Sequence, residues 1–382
     1  MALEAGAAVV DITPRSPCRL AGYAARDHEH EGVYDRLSLR ALYVRGGSED
    51  VLLVSADIIW FCSASIERVG PQLEAQLGLK RENVHFFGTH THSAPIPDGD
   101  RANREWLNFL ESPVVAAGAI AKSRLQRVVV KAARGASDIG VNRRELRPDG
   151  SITLGLNPDG PNDREVIALA FEGGNREVVA RVGNFACHGT VMSQGNYEIS
   201  GDWPGPAATL IEASSGGAFL FLNGGAGNIC PRIDRQDSLE SVDDLGEAFA
   251  SHFEEICTSL EPIPDDDTVT AAEMDVFLPR KQRDVEEGRG KLRKVRITGV
   301  RVGALRIVGF PGEVFSQTSM AVKDASPESL TMVCSYASGC DAGYVPVSEA
   351  YDTGGYEVRV SPYSEDAEAI LRAGFLNLLT KL

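Results

Sequence analysis

The chain has 382 residues and a mass of 41.0 kDa, and its 43% apolar and 24% charged residues are typical of a soluble globular protein. The formal net charge is -16, which argues against a nucleic-acid-binding surface because such a surface needs a basic patch. This length allows one large domain or two ordinary ones.

The sequence shows no sign of a membrane span or of a signal peptide. It has no run of about 18 consecutive apolar residues, and its first residues, M-A-L-E-A-G, lack the basic segment of a signal peptide. We therefore expect a cytoplasmic protein. The seven cysteines are scattered and form no C-x-x-C pair, so neither a disulfide framework nor a structural zinc knuckle is predicted.

Strand and helix patterns alternate along the first third of the chain. Apolar or alternating runs predict strands over residues 7–13, 39–45, 51–54 and 84–87. Apolar residues at helical spacing predict one helix over 63–77, with Ser63 or Ser65 as its N-cap, and a second over 103–125. This order predicts an α/β fold in which helices flank a mixed β-sheet and ligands bind at the carboxyl ends of strands.

Two histidines follow the strand predicted over 84–87. Residues 88–95 read G-T-H-T-H-S-A-P, and strand geometry points His90 and His92 to the same face. Such a pair supplies two nitrogens for a metal ion, since neutral imidazole is a common metal ligand. A strand with one buried and one solvated histidine has the same pattern, so both interpretations stay open. A second H-x-H pair, His28 and His30, lies among charged residues, which indicates a solvated loop.

The middle of the chain, residues 126–183, is rich in predicted strands. Arg143 and Arg144 lie in a predicted loop within it, where they either bind a carboxylate or carbonyl oxygen or form surface ion pairs. A further strand-to-turn passage ends at His188. Residues 223–231 follow a short predicted strand and are rich in glycine, so their backbone N–H groups either bind an anion or form a tight turn.

The last third contains a predicted helix over 239–260, a linker over 262–268, a charge-rich solvated stretch over 281–294 and a hairpin over 297–310. Glu313 follows the hairpin at the start of a predicted helix, where a carboxylate serves either as a ligand or general base or as a partner of the helix dipole. Tyr344 and Tyr356 lie in a predicted loop rich in tyrosine and glycine, and a final helix is predicted over 364–379.

Several short motifs, taken in their order along the chain, resemble the neutral/alkaline non-lysosomal ceramidase family. They are T-H-T-H-S-A-P, F-A-C-H-G-T-V-M, I-S-G-D-W-P-G, G-A-G-N-I-C-P, F-P-G-E and G-Y-V-P followed by Y-D-T-G-G-Y. The resemblance extends from about Ala5 to Leu379. It implies a single ceramidase-like catalytic domain over 1–382, without the C-terminal immunoglobulin-like domain of the long family members, and a zinc-dependent amidase activity.

The resemblance also implies roles for individual residues. One Zn²⁺ per chain would be held by His90, His188, Glu313 and Tyr344, with an open position for water or a substrate oxygen. Three further residues match positions that face the substrate: His92, Arg143 and Tyr356. In this hypothesis His92 carries the proton to the leaving nitrogen, while Arg143 and Tyr356 orient the substrate or stabilise the oxyanion. Mn²⁺, Fe²⁺ and Co²⁺ tolerate similar ligands.

One loop departs from the family pattern, G-D-V-S-P. It reads G-N-I-C-P here, so Cys230 replaces a serine that is associated with catalysis and Asn228 replaces an acidic residue. Cys230 is either a nucleophile, paired with His92, or a residue that fills space while metal-activated water reacts.

The predicted function is hydrolysis of an amide (N-acyl) bond in a small or acylated substrate. Ceramide is not the expected substrate, because a cytoplasmic enzyme would rarely meet extracellular sphingolipid. Two alternatives stay open: a metal-dependent acyl transfer, cyclisation or elimination, and a non-catalytic descendant that binds a metal or ligand. The sequence leaves the oligomeric state open.

Overall fold

The computed structural model of the chain describes residues 2–47, 49–97, 101–233, 236, 238–264, 266–339 and 342–382, with the backbone alone at 101 and 102. Cys340 and residue 265 of the predicted linker therefore lie outside the described residues. Among the helices that the structure describes, none has the length and apolar character needed to cross a bilayer.

The described residues form runs of strands that are separated by helices. The strands are β1 (Glu4–Asp11), β2 (Gly32–Val33), β3 (Ser38–Arg45), β4 (Asp50–Ala56), β5 (Val84–Gly88), β6 (Gln126–Ala136), β7 (Gly140–Leu146), β8 (Ile152–Asn157), β9 (Glu165–Gly173), β10 (Val178–Phe185), β11 (Glu198–Ile199), β12 (Ala218–Asn223), β13 (Ile229–Pro231), β14 (Glu261–Pro262), β15 (Val269–Pro279), β16 (Leu292–Val302), β17 (Leu305–Gly309), β18 (Glu313–Val314), β19 (Thr331–Cys334) and β20 (Tyr344–Val345). The helices are α1 (Ser63–Leu77), α2 (Arg101–Ser123), α3 (Pro204–Ser215), α4 (Leu239–Cys257), α5 (Gln282–Glu286), α6 (Ser316–Ala325), α7 (Glu349–Thr353), α8 (Tyr356–Val360) and α9 (Ala367–Leu379).

Two mixed sheets contain most of the strands. The larger has the order β12-β10-β9-β6-β1-β3-β4-β5, with β14 also paired to β6, and the smaller has the order β15-β16-β17-β19. Three pairs in these sheets are parallel: β4 with β5, β10 with β12, and β17 with β19. Smaller sheets consist of β13-β7-β8, β2-β11 and β18-β20.

The two mixed sheets pack face to face, and helices cover their outer faces. Side chains alternate along a strand, so Leu42 and Leu53 point into the layer between the sheets while Tyr43 and Val54 point to the opposite face. That outer face packs against α1 and α2 at one end of the sheet and against α3 and α4 at the other. Helices α6 and α9 cover the outer face of the smaller sheet. The predicted α/β class, with a mixed sheet flanked by helices, is confirmed.

Several local predictions were wrong. The N-cap of α1 is Cys62 rather than Ser63 or Ser65, and no side-chain hydrogen bond caps the helix. Arg143 and Arg144 lie on β7 and not in a loop. Helix α6 begins at Ser316, three residues after Glu313, because Glu313 lies in the short strand β18.

Two further regions also differ from the predictions. The segment predicted as a tyrosine- and glycine-rich loop contains β20, α7 and the start of α8. The predicted linker 262–268 begins at Pro262, which pairs with Lys131 of β6 and so extends the larger sheet.

Candidate metal centre

The three parallel strand pairs end at one edge of the two sheets, and their connecting loops meet there. The Asn223 side chain, at the end of β12, donates hydrogen bonds to the carbonyl oxygens of Thr89 (3.1 Å) and Cys187 (2.9 Å). The backbone N–H of Ser335, just after β19, donates to the Asn223 carbonyl at 3.0 Å. One asparagine therefore links the loops that follow β5, β10, β12 and β19.

Three histidines from these loops face one another. His90 follows β5 and His188 follows β10; their Nδ1 atoms lie 3.0 Å from the Ile59 carbonyl and 2.8 Å from the Ala226 carbonyl. A ring whose Nδ1–H donates to a carbonyl presents a lone pair at Nε2, so each of the two Nε2 atoms has a lone pair with which it can bind a cation. The Nε2 of His92 lies 3.1 Å from that of His90, and one ring nitrogen from each of the three histidines lies within 4.8 Å of the others.

Burial keeps these imidazoles neutral. It lowers the pKa of His90, His92 and His188 well below the usual value, and the nearby Arg143 guanidinium lowers it further for His92 and His188. For His90 the Glu313 carboxylate opposes the effect of burial without cancelling it. Neutral imidazole is the form that binds metal ions.

Glu313 brings a carboxylate oxygen to the same place. Its Oε2 lies 3.2 Å from His188 Nε2 and 3.9 Å from His90 Nε2. Tyr336 donates its phenolic O–H to this oxygen at 3.2 Å. Burial raises the pKa of Glu313, and electrostatic attraction to the nearby His90 and Arg143 side chains offsets part of that rise. The Glu313 side chain is 10% exposed, so its carboxylate needs these polar partners.

Arg143 and Tyr344 complete the polar cluster. Arg143 donates from Nη1 to His188 Nε2 and from Nη2 to Tyr344 Oη, both at 3.0 Å. Tyr344 pairs with Glu313 in the β18–β20 ladder, which keeps the two side chains in one neighbourhood. Burial disfavours the Arg143 charge, but Tyr344, Glu357 and Glu313 outweigh that effect and raise the Arg143 pKa well above its usual value.

A cavity of about 300 Å³ gives access to the cluster. His90, His92, Glu313, Tyr336, Tyr344 and Tyr356 line it together with Trp60. The Tyr356 ring meets the Tyr344 ring edge to face at 5.9 Å. His188 is fully buried beneath this wall. A small polar group can therefore reach the histidine and carboxylate atoms from solvent.

The structure brings together all four residues predicted as metal ligands and the three predicted to face the substrate, but it does not bring Cys230 to the cavity wall. His92 lies closer to the ligand cluster than its predicted role implies, since its ring belongs to the three-histidine group. The expected strand geometry of the H-x-H pair was wrong: His90 has a left-handed backbone with φ of 70°, and the chain has left the strand there. The two rings converge because the chain turns after β5.

Cys230 lies apart from the cavity wall. It occupies β13, opposite Val141 of β7, and its Sγ lies 3.9 Å from the Gly155 carbonyl. Burial raises the pKa of the thiol to about 11, so the thiolate is scarce at neutral pH. Among the described residues no hydrogen bond joins Cys230 to His92, as a cysteine–histidine nucleophile would need.

Several residues that surround the cluster have no recognisable signal in the sequence. Tyr336 stacks on the His90 ring at 3.6 Å and 11° between planes. Glu357 is fully buried and binds Arg143. Arg26, predicted to lie in a solvated loop, is 6% exposed and donates to the His92 carbonyl and to the Ser193 carbonyl. Only distant parts of the chain bring these residues together, so local pattern does not reveal them.

The donor set fits a divalent cation. Two neutral imidazole nitrogens and one carboxylate oxygen converge, each held by a further hydrogen bond, as is usual for the ligands of catalytic zinc. His92 and Tyr344 lie beside these ligands and offer a further nitrogen and a phenolic oxygen that could bind the cation.

Comparison with solved structures finds the same fold in neutral ceramidases. The chain matches the crystal structure of neutral ceramidase from Pseudomonas aeruginosa with a TM-score of 0.83 and 19% sequence identity, over 99% of this chain and 74% of the other. A structure described as ceramidase complexed with C2 matches with a TM-score of 0.82 and 19% identity, over 99% and 75% of the two chains.

Curated sequences point to the same relatives. The chain is 27% identical over 225 residues to neutral ceramidase of Oryza sativa subsp. japonica and 26% identical over 236 residues to neutral ceramidase 2 of Arabidopsis thaliana. The chain has the fold of the neutral ceramidases. The two alignments include 53% and 54% of this chain but only 28% and 29% of these relatives, so the match spans less than a third of their length. No protein-family profile matches the chain.

Proposed function

We propose that the chain is a zinc-dependent amidohydrolase that cleaves an amide (N-acyl) bond in a small or acylated substrate. The observation that carries the proposal is the convergence of His90 Nε2 and His188 Nε2 on Glu313 Oε2, at 3.9 and 3.2 Å. The similarity to neutral ceramidases supports the amide bond as the target. Zn²⁺ held by these residues and Tyr344 would supply a Lewis acid and a water of lowered pKa.

The surrounding side chains suit the proton and charge movements of amide hydrolysis. His92 borders the cavity and is neutral because burial lowers its pKa, so the ring has a lone pair for a hydrogen bond from an attacking water. In this proposal His92 takes a proton from that water and passes it to the leaving nitrogen, which must be protonated to depart. The His92 Nδ1 atom is buried and lacks a hydrogen-bond partner among the described residues, so Nε2 is the atom that faces its neighbours.

Arg143 and Tyr356 supply hydrogen-bond donors for the oxyanion. Arg143 carries a permanent charge in the cluster, and Tyr356 borders the cavity with its ring near the guanidinium, 5.9 Å from Arg143 Cζ. Donors fixed in a water-poor site stabilise developing negative charge more than donors in water. A bound cation and the Arg143 Nη1–His188 Nε2 hydrogen bond compete for one lone pair, so the charge of Arg143 bears directly on cation affinity.

The loop that departs from the family pattern does not favour the non-hydrolytic alternative. Asn228 accepts a hydrogen bond from the Ser316 N–H at 2.8 Å and donates to Gln317 Oε1 at 2.8 Å, which joins the loop to the start of α6. Cys230 has a raised thiol pKa and no contact with His92 among the described residues. In our proposal both side chains pack and the nucleophile is water.

The test is amine release from a panel of N-acyl amides by zinc-reconstituted protein. The panel contains short-chain and long-chain N-acyl amines and ceramide, and Glu313→Gln serves as the inactive comparison. We expect release from at least one substrate by the wild type, loss after chelation, and at least about a 100-fold lower rate in the variant. Protein that binds zinc but releases no amine from any member of the panel would overturn the proposal.

A further inference from the structure

Glu357 is a fully buried carboxylate that binds two arginines of β7. It lies on α8, directly after Tyr356, and its side chain has no exposed surface. Its Oε1 accepts from Arg143 Nε and its Oε2 accepts from Arg144 Nη1, each at 2.8 Å. Bonds of this kind between guanidinium and carboxylate groups are short, directional and strong. One side chain thus fixes two neighbouring guanidinium groups.

The bond at Nε determines which edge of Arg143 faces the metal centre. A guanidinium is planar, so when Nε is held by Glu357 the two Nη atoms point away from it toward the cluster. There Nη1 reaches His188 and Nη2 reaches Tyr344, both at 3.0 Å. Without the Nε anchor, the side chain keeps its charge but loses its fixed direction.

Arg144 connects the same carboxylate to the segment that carries Tyr356. Its Nη2 donates to the Gly354 carbonyl at 2.7 Å and to Thr353 Oγ1 at 3.2 Å. Glu357 therefore holds α8 against β7 on both sides of its own carboxylate. The position of Tyr356 at the cavity wall depends on that contact.

The charges of Arg143, Arg144 and Glu357 also affect the binding of a cation at the centre. Arg143 and Arg144 are each 8% exposed, and Glu357 is the carboxylate that both bind. Two guanidinium charges and one carboxylate charge leave a net charge of +1 next to His188. Removing the carboxylate charge raises it to +2, and buried like charges repel strongly because little solvent screens them.

We propose that Glu357 is a positioning residue of the metal centre, which limits the positive charge beside the cation and holds Arg143 at Nε, so that Nη2 stays on Tyr344 when a cation takes the His188 lone pair. Its effect on rate rests on the proposed amidase function, whereas its effect on cation affinity does not. In this proposal the Glu357 carboxylate, which both arginines share, offsets enough positive charge for a cation to bind at His188 Nε2 next to Arg143.

The test compares Glu357→Gln with a variant that restores the charge, Glu357→Gln/Arg144→Met. Zn²⁺ affinity is measured by competition with a chromophoric chelator, and kcat and KM are measured on the best amide substrate. We expect Glu357→Gln to bind Zn²⁺ at least about 10-fold more weakly and to lose kcat more than KM. The double variant, which again has a net charge of +1, recovers most of the Zn²⁺ affinity.

Two further variants keep the test decisive. Arg144→Met alone retains the Glu357–Arg143 pair and should bind Zn²⁺ as tightly as the wild type or more tightly. Glu212→Gln removes the charge of another carboxylate that pairs with a buried arginine, Arg40, without touching the centre, and should lower thermal stability with unchanged Zn²⁺ affinity.

Either of two results overturns the proposal: unchanged Zn²⁺ affinity in Glu357→Gln, or a double variant that binds more weakly than the single one. Damage to the packing of the site is not repaired by a second substitution, whereas a charge imbalance is, so recovery in the double variant identifies charge compensation between these two contacting residues. If the single variant does not fold, weaker Zn²⁺ binding by Arg144→Met still contradicts the charge balance. Wild-type protein that binds Zn²⁺ but hydrolyses no amide refutes the amidase function and leaves this comparison intact.

Discussion

The hydrogen bond from Tyr336 to Glu313 allows a quantitative test of the centre. Tyr336→Phe keeps the ring that stacks on His90 and removes only the O–H that donates to Glu313 Oε2 at 3.2 Å. A hydrogen bond to a charged group contributes about 1.5–3 kcal/mol, and each 1.4 kcal/mol is about tenfold in a binding constant. We therefore expect the variant to bind Zn²⁺ about 10–100-fold more weakly, as measured by chelator competition, with a circular dichroism spectrum like that of the wild type.

A matched control is available in Tyr363. Tyr363 is also fully buried, but its hydroxyl has no hydrogen-bond partner among the described residues, so Tyr363→Phe removes the same atom without breaking a bond. We expect this control to bind Zn²⁺ with wild-type affinity and to be at least as stable as the wild type. Equal Zn²⁺ affinity in Tyr336→Phe and the wild type would refute the reasoning, as would an equal loss in both variants.

Three other changes test the neighbourhood of the centre. Gly22→Ala places a Cβ 2.2 Å from His92 Nδ1 at a φ of 90°, so amide turnover should fall at least about 10-fold. The control Gly150→Ala has a similar φ of 84° and open space around the new Cβ, so it should lower only the unfolding free energy, by about 1–2 kcal/mol. Equal activity losses in the two variants would argue against a special role for the His92 contact. Burial raises the pKa of Asp35 to about 7 from an ordinary 3.8, so between these values the folded chain holds a proton that the unfolded chain has released, and stability falls as pH rises through the window. Relative to Asp35→Asn, the wild type should lose up to about 4 kcal/mol of unfolding free energy between pH 4 and pH 8 in urea titrations, and parallel pH profiles would contradict this. Cys230→Ala should retain amide turnover within about threefold, because its thiol is protonated and lies apart from His92; loss of turnover with a normal thermal midpoint would restore the cysteine nucleophile.

Local sequence patterns were sufficient for the layers of the fold but not for their arrangement. Alternation in β3 and β4 is visible in the sequence, and Leu42 and Tyr43 do point to opposite sheet faces. The pairing of β17 with β19, or of β10 with β12, joins segments separated by helices, and no local pattern specifies it. The contact between the two mixed sheets likewise depends on distant residues.

Short motifs in the sequence mark part of the candidate metal centre. His90, His188 and Glu313 each follow a strand within a motif, and they converge because those strands end at one edge. The direction of the His90 ring was not predictable, since it depends on a left-handed backbone conformation that is common for glycine and rare for other residues. Arg143 was assigned to a loop because V-N-R-R-E-L lacks the apolar alternation of a strand. Its polar side chain is buried here because it faces the centre rather than solvent.

Tyr336 and Glu357 show a second limit of sequence reasoning. Neither belongs to a recognisable chemical motif, and each gains its role from a partner far away in the chain: Tyr336 from Glu313 and His90, and Glu357 from Arg143. Residues of this kind act through the side chains that they orient. Only three-dimensional contacts identify them.

The most direct test of the proposed centre is the zinc content of the purified protein, measured by plasma emission on the wild type beside His188→Ala. We expect about one zinc ion per chain in the wild type after reconstitution, and its loss in the variant, because His188 Nε2 and Glu313 Oε2 form the core of the site. Wild-type protein that binds no metal after zinc reconstitution, or a variant that binds as much zinc as the wild type, would contradict it.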